Sequence, residues 1–314
     1  MAVAPLSVDD VLSAREAIGS DLHRTPTFSS ATLGPRVFLK AELFQRTGSF
    51  KPRGVLNKLR SLSEEERARG LISVSAGNHA QAVAYCARLE GLDALLVMWA
   101  TASQAKIEAT RGYGAAVDLL AAGPETVFER LEELHAETGR TFIHPFDDAF
   151  VIAGQGTVGL EIADDVPDVD VVVVPVGGGG LIAGIATALP NVRIVGVEPL
   201  GSNALSAALA AGEPVPVEPR SIADGLNAPF AGQLPLEVAG ARGLEMVLVE
   251  EQEIEAGMRF VYERAKLACE PAGAAAVAAL LAGKVALKAG ETVVAVVSGG
   301  NVSGDTAAAI LGRL

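Results

Sequence analysis

The chain has 314 residues, half of them hydrophobic and 20% charged, so it can bury a sizeable core and is too apolar for a disordered state. At roughly 150 residues per domain, the length suggests about two domains. Twenty-five basic against 38 acidic side chains leave a formal charge of −13, which repels nucleic-acid phosphates and anionic lipid head groups; no nucleic-acid partner is expected.

The opening MAVAPLSVDD lacks the basic segment and apolar core of a secretory signal. Cys86 and Cys269 make neither a metal-ligand spacing nor a disulfide framework, so a reducing, cytoplasmic setting is the default. One stretch stands against this picture. Val171 to Leu189 carries no charged side chain and is long enough to span a membrane.

Along the chain, Ser7 followed by Asp9 and Asp10 predicts a helix running to about Ile18. Val37 to Glu42 reads as a strand, and Ser63 with Glu66 as a capping box. An alternation then begins: strand 71–75, helix 78–91 closed by Gly91, strand 93–99, helix 103–114, strand 115–120, a helix from Pro124 to Thr138 ended by Gly139, and a closing segment 141–146. Strand–helix alternation of this kind predicts a parallel sheet covered on both faces. A second alternation follows: strand 169–176, helix 181–189, strand 193–198, helix 202–212, a long connection from Pro214 to Pro235, strand 246–250, a helix from about Glu251 to Ala268, an alanine-rich helix 272–283 and a last strand with its loop at 292–301.

The uncharged stretch is too β-branched and too rich in breakers for a membrane helix, with Pro175 and the glycines Gly177, Gly178, Gly179 and Gly180 in its middle. It reads as strand, anion-binding loop and helix. Glycines let the backbone approach an anion, and the helix beginning near Leu181 adds N–H donors and a positive dipole end. A ligand-free tight turn is the plainer alternative, but four glycines exceed what a turn needs. There is no Walker lysine. Glu198 lies roughly where a dinucleotide site would want its acid.

Lys51 sits in TGSFKPRG. Pro52 disfavours the helical conformation at Lys51 and suits a first helical position, which puts the amine at a strand-to-helix junction. A partly dry lysine has a lowered pKa and can form a Schiff base; the alternative is a solvated surface lysine. In SAGNHAQA, Gly77 allows a tight turn that exposes the Ser75 hydroxyl, the Asn78 amide and helix N-terminal N–H groups to a carboxylate. His79 invites an acid–base role, and a helix-start histidine bonded to nearby backbone is the favoured reading. Ser298 opens SGGN at the end of the last strand. Lys51, Ser75, Gly177 and Ser298 thus lie at strand carboxyl ends, where open α/β sheets bind ligands.

These motifs resemble the fold-type II pyridoxal-phosphate enzymes, in the threonine/serine dehydratase and serine racemase branch. TGSFKPRG, SAGNHAQA, IAGQGTVGLEI, VPVGGGGLIAGIA, IADG, CEPAGA and SGGN occur in order over nearly the whole chain. The resemblance implies a tryptophan synthase β-like α/β fold of two doubly wound open-sheet domains. A large discontinuous domain (1–61 and 144–314) would carry a small inserted one (62–143). It implies a homodimer and the cofactor pyridoxal 5′-phosphate, in Schiff-base linkage to Lys51. Phe50 would lie against the ring, Asn78 at its phenolic oxygen and Ser298 at its nitrogen. Gly177 to Gly180 and Leu181 would bind the phosphate, and Ser75, Ala76, Gly77, Asn78 and His79 the substrate carboxylate. The implied reaction removes the Cα proton with Lys51 and expels the β-hydroxyl of L-threonine or L-serine, giving a 2-oxo acid and ammonia.

Three departures matter. Racemases of this family resemble the dehydratases but place a second base, a serine, where this chain has Ala76. Glu198-Pro199 offers a ligand for Mg²⁺, but Ala204 stands where the family has an aspartate, leaving a hard cation short of oxygens. Trp99 replaces a usual proline and either packs or narrows the cleft. The chain stops shortly after SGGN, so the regulatory domain of the biosynthetic dehydratases is not expected. Sibling readings are a lyase for 3-hydroxyaspartate or phenylserine, a serine racemase, or a phosphate-ligand binder without catalysis; Arg46 and Arg53 could serve a second carboxylate, although solvated or structural arginines are commoner.

Overall fold

The computed structural model describes residues 6–123 and 126–312. Met1 to Pro5 of the opening segment and Pro124, the expected start of one helix, lie outside the described residues.

Ser7 caps α1 (Val8–Ile18) through a reciprocal box with Asp10. A short strand β1 (Thr27–Ser29), not anticipated, pairs antiparallel with β2 (Val37–Ala41). Then come α2 (Lys51–Ser61) and α3 (Glu64–Ala68), the latter capped by Ser63 and Glu66 as expected. The first alternation forms as β3 (Leu71–Val74), α4 (Asn78–Leu89), β4 (Ala94–Trp99), α5 (Gln104–Gly112), β5 (Ala116–Ala121), α6 (Val127–Thr138) and β6 (Thr141–Phe142). Its strands make one parallel sheet of order β5-β4-β3-β6. Apolar side chains alternate between its faces. Leu71, Leu96 and Met98 pack with Val55, Leu56 and Val83 of α2 and α4, whereas Ile72, Val74 and Val97 pack with Val127, Leu131 and Leu134 of α6.

The rest of the chain gives α7 (Ala149–Asp165), β7 (Val171–Pro175), α8 (Gly180–Ala188), β8 (Arg193–Pro199), α9 (Ala204–Ala211), α10 (Gln233–Arg242), β9 (Glu245–Val249), α11 (Glu251–Phe260), α12 (Pro271–Leu281), β10 (Val293–Val297) and α13 (Gly304–Leu311). The second sheet has the order β1-β2-β10-β7-β8-β9, parallel except for β1 at its edge. Val171 and Val173 face α11 and α12, while Val172 and Val174 face α8. A strand buried on both faces has to be apolar throughout, which accounts for the uncharged run without a membrane. Among the described residues no helix is long and apolar enough to cross one.

Helices α7, α10 and α13 were not anticipated. The helix expected to reach Ala268 ends at Phe260 and continues as a π-helical turn, Val261–Ala265, stopped by Lys266 at φ +60°. α7 is packed between α2 and α8 at backbone distance. A Cβ on Gly154 would lie 2.4 Å from the Arg53 carbonyl oxygen, and one on Gly184 2.4 Å from that of Ile152, so only glycine permits either approach.

Candidate active site

The carboxyl ends of β3, β7 and β10 converge on one cleft together with the start of α2. Phe50, Lys51, Asn78, the run Gly177–Leu181, Glu270 and Ser298 all line it. Lys51 does not follow a strand directly, as expected, but is reached from β2 through two 3-10 turns, Glu42–Phe44 and Arg46–Gly48. The segment is then pinned to the last strand. Ser49 bridges Gly299, and the Phe50 N–H donates to the Ser298 carbonyl at 3.2 Å.

α2 begins at Lys51 itself, with Pro52 second in its first turn, so Lys51 is helical despite the proline that follows it. Lys51 is half-buried, its Nζ donating to the Pro145 carbonyl at 3.0 Å and lying 5.2 Å from the centre of the Phe50 ring. His144 holds the turn that presents this carbonyl, its Nδ1 accepting from the N–H groups of Phe146 and Asp147. Desolvation lowers the pKa of the Lys51 amine to about 8.

The glycine run behaves as a rigid cradle. Gly179 stands at φ +94°, and Cβ atoms on Gly178 and Gly179 would lie 2.4 Å from the Phe146 ring and 2.6 Å from Pro235. The N–H groups of Gly180, Leu181 and Ile182 start α8 and have no intrahelical acceptor. This is an anion receiver made of backbone.

In the loop after β3, Ser75 Oγ accepts from the Gly77 N–H at 3.1 Å, and Ala76 is buried. Gly77 sits at φ −143°, so it does not use the left-handed conformation. His79 is buried, with Nε2 against Ser73 Oγ (3.0 Å) and the Ile143 carbonyl (3.4 Å). Burial, and then the charge of Lys51, push its pKa well below the usual histidine value. Its ring is not among the cleft-lining groups; of His79, only the backbone N–H stands at the helix start.

Asn78 Nδ2 donates to Glu270 Oε1 at 2.6 Å, and its Oδ1 accepts from Asn301 Nδ2 at 2.8 Å. Glu270 is a site residue that sequence reasoning missed; the signal was an acid directly before Pro271 at a helix start. Arg46 is exposed and outside the cleft lining. Arg53 is buried with Glu42 and Glu161, unavailable to any substrate. Trp99 packs in the core of the first sheet rather than narrowing the cleft.

Glu198 spends both oxygens on the start of α9, accepting from Leu205 N (2.7 Å), Ser206 N (3.0 Å) and Ser206 Oγ (2.5 Å). Burial pushes its pKa up, the opposite of what a cation site needs. With Ala204 alongside, these residues do not fit a divalent cation.

A half-buried lysine of lowered pKa lining one cleft with a glycine anion cradle, beside the carboxyl ends of parallel strands, defines an α/β enzyme built around a phosphate-bearing cofactor. The family model described as pyridoxal-phosphate dependent enzyme matches residues 16–299. The L-threonine dehydratase catabolic TdcB of Staphylococcus aureus (strain N315) is 46% identical over 311 residues, 95% of this chain and 89% of that protein. Among solved structures, maize serine racemase superposes with a TM-score of 0.91 at 35% identity, covering 97% of this chain and 96% of that one. A threonine deaminase from T.th. superposes with 0.87 at 38%, covering 95% and 99%. The chain belongs to the pyridoxal-phosphate dependent enzyme family. Its cleft suits that cofactor: a neutralisable amine at Lys51, a backbone receiver for the phosphate, the apolar Phe50, and polar groups at Asn78 and Ser298.

Proposed function

We propose that this protein is a pyridoxal-phosphate dependent ammonia-lyase that converts L-threonine or L-serine to a 2-oxo acid and ammonia. The half-buried Lys51 amine facing the glycine cradle carries this reading. The similarity to threonine dehydratases over most of the chain supports it. Gly177 to Gly180 and Leu181 would hold the phosphate, Phe50 would take the ring, and Asn78 and Ser298 would serve its polar atoms. The cofactor, when bound, supplies an electron sink for the Cα electron pair. The Ser75 and Gly77 N–H groups are held by the Val97 carbonyl and Ser75 Oγ, so the N–H groups of Ala76, Asn78 and His79 are left to orient the substrate carboxylate. Lys51, with a pKa near the operating range, takes the Cα proton.

Racemases are among the structural neighbours. Ala76 has no proton to move, however, which favours elimination. Among the described residues no arginine lines the cleft and Glu270 does, which disfavours the dicarboxylate 3-hydroxyaspartate. We further read residues 62–143 as a small domain inserted into a larger one, the assembly as a homodimer, and the setting as cytoplasmic. The two buried free thiols suit a reducing compartment.

The test is a panel of β-hydroxy amino acids with ammonia and oxo-acid release measured on yellow, reconstituted protein. Threonine or serine should be preferred. A preference for 3-hydroxyaspartate, or a colourless protein that borohydride cannot label at Lys51, overturns the reading.

A further inference from the structure

One carboxyl in the cleft wall has no task in the reaction above. Glu270 stands at the N-cap position of α12, immediately before Pro271, without a side-chain capping bond, and its side chain enters the cleft beside Asn78. It is 2% exposed. Oε1 accepts from Asn78 Nδ2 at 2.6 Å, and Oε2 has no hydrogen-bond partner among the described residues. Gly299 closes one side: a Cβ there would lie 2.2 Å from Oε1.

The charged groups facing Glu270 are Asp224, on the 3-10 turn Asp224–Leu226, and Lys106 of α5, which pair with each other. The Cys269 thiol, next in the chain, is pushed up by burial and stays protonated. Burial acts most strongly on Glu270, and Asp224 next; together they raise its pKa to about 7 against the opposite pull of Lys106 and Asn78. A buried carboxylate with a bare oxygen is costly, so Oε2 is a place for a proton.

We propose that Glu270 is a positioning residue that stores a proton, sharing one negative charge with the cofactor's ring oxygen through the Asn78 amide. This rests on the cofactor reading of the cleft. The Asn78 NH₂ group has two hydrogens. Glu270 holds one and the other serves the ring oxygen, while Asn301 fixes Oδ1 so that the amide cannot flip. Two anions on one NH₂ group repel, so they titrate as a pair and one proton stays with them near neutrality.

The experiment titrates the visible absorbance of the yellow holoprotein. Wild type should show a transition at or above pH 7, since burial and Asp224 already hold Glu270 at about 7 before the ring oxygen's charge is added. Glu270→Gln should lose it while keeping its colour. Asp224→Asn, at a 57% exposed side chain where folding is not at stake, should move the midpoint to lower pH. A merely structural role for Glu270 would lower occupancy without changing the pH profile of the occupied fraction, and that result overturns the proposal. The cofactor-free protein gives a second readout. As pH rises from 4.5, the unperturbed value, to about 7, its urea midpoint should fall relative to Glu270→Gln and then level off, because the unfolded chain ionises first and the buried carboxyl resists ionisation. Superimposable profiles reject the proposal. Absence of colour or of a borohydride label at Lys51 rejects the cofactor reading instead, and the cofactor-free comparison still judges Glu270.

Discussion

Arg53 and Glu161 meet in the core through two parallel hydrogen bonds, Nη1 to Oε1 at 2.7 Å and Nη2 to Oε2 at 2.9 Å, two residues along α2 from Lys51. The same guanidinium holds Glu42 through Nε (2.8 Å) and Nη2 (2.9 Å), and Lys40 donates to Glu161 at 2.7 Å. Burial disfavours every charge here, but the two carboxylates raise the Arg53 pKa further than burial lowers it.

Removing one member leaves a buried charge unpaired. Arg53→Met should destabilise the protein by about 3–5 kcal/mol, read from urea unfolding. Burial alone raises the Glu161 pKa, yet Arg53 and Lys40 hold it below the usual carboxylate range. Its folded value lies below the unfolded one, so its contribution is present above pH 4.5, the unperturbed value, and is lost as pH falls through the folded pKa. The acid limb of the stability profile should be shallower in Glu161→Gln. Equal limbs would count against this assignment.

The Lys51 amine should react as a low-pKa lysine. Capture of pyridoxal phosphate by the cofactor-free protein, stopped with borohydride and mapped by mass spectrometry, should reach half its limiting rate near pH 8, against 10.5 for an ordinary lysine. Lys51→Arg should abolish the label and the lyase activity together. Capture that climbs steadily to pH 10.5 would show an amine that is not desolvated.

Ala76 lies on the loop proposed to receive the substrate carboxylate. Ala76→Ser should raise the ratio of racemised to eliminated serine, measured by chiral chromatography of the reaction mixture. An unchanged ratio means that the second base is not what separates the two reactions.

The glycine cradle tolerates no side chain. Gly178→Ala drives a methyl into the Phe146 ring, and Gly179→Ala strains a residue at φ +94°. Each should weaken cofactor binding at least tenfold, about 1.4 kcal/mol, in an equilibrium titration. A variant that binds as tightly as wild type would mean the loop moves freely.

Glu198 acts as a cap for α9. Mg²⁺ or EDTA should leave the melting temperature unchanged, whereas Glu198→Ala should cost about 1–2 kcal/mol, as loss of a capping acceptor does. Stabilisation by Mg²⁺ that disappears in Glu198→Ala would restore a metal role.

What the sequence reveals is mostly what the backbone decides. The glycine run, Pro52 after Lys51 and the Ser63–Glu66 box each act through their own neighbours and are legible there. α7 is not: it is glycine-rich and buried on every side from Val151 to Ile162, because α2 and α8 press on it, so no amphipathic period marks it. Pro235 lies inside the first turn of α10 and reads as loop. Arg53 near Lys51 reads as a structural or solvated arginine more often than as a substrate ligand, but nothing nearby names its partner, since Glu161 is 108 residues away. Glu270 takes its importance from Asn78, 192 residues distant.

The glycine seats on α7 have a consequence for how the enzyme keeps its dimensions. α2 carries the amine and α8 opens at the anion loop, and both meet the same helix at glycines that let the backbones touch. α7 is thus a common datum for the two chemical ends of the cleft. The spacing between the Lys51 backbone and the anion loop becomes a length set by main chain. Substitutions elsewhere can retune what enters the cleft without changing the gauge to which its cofactor is cut.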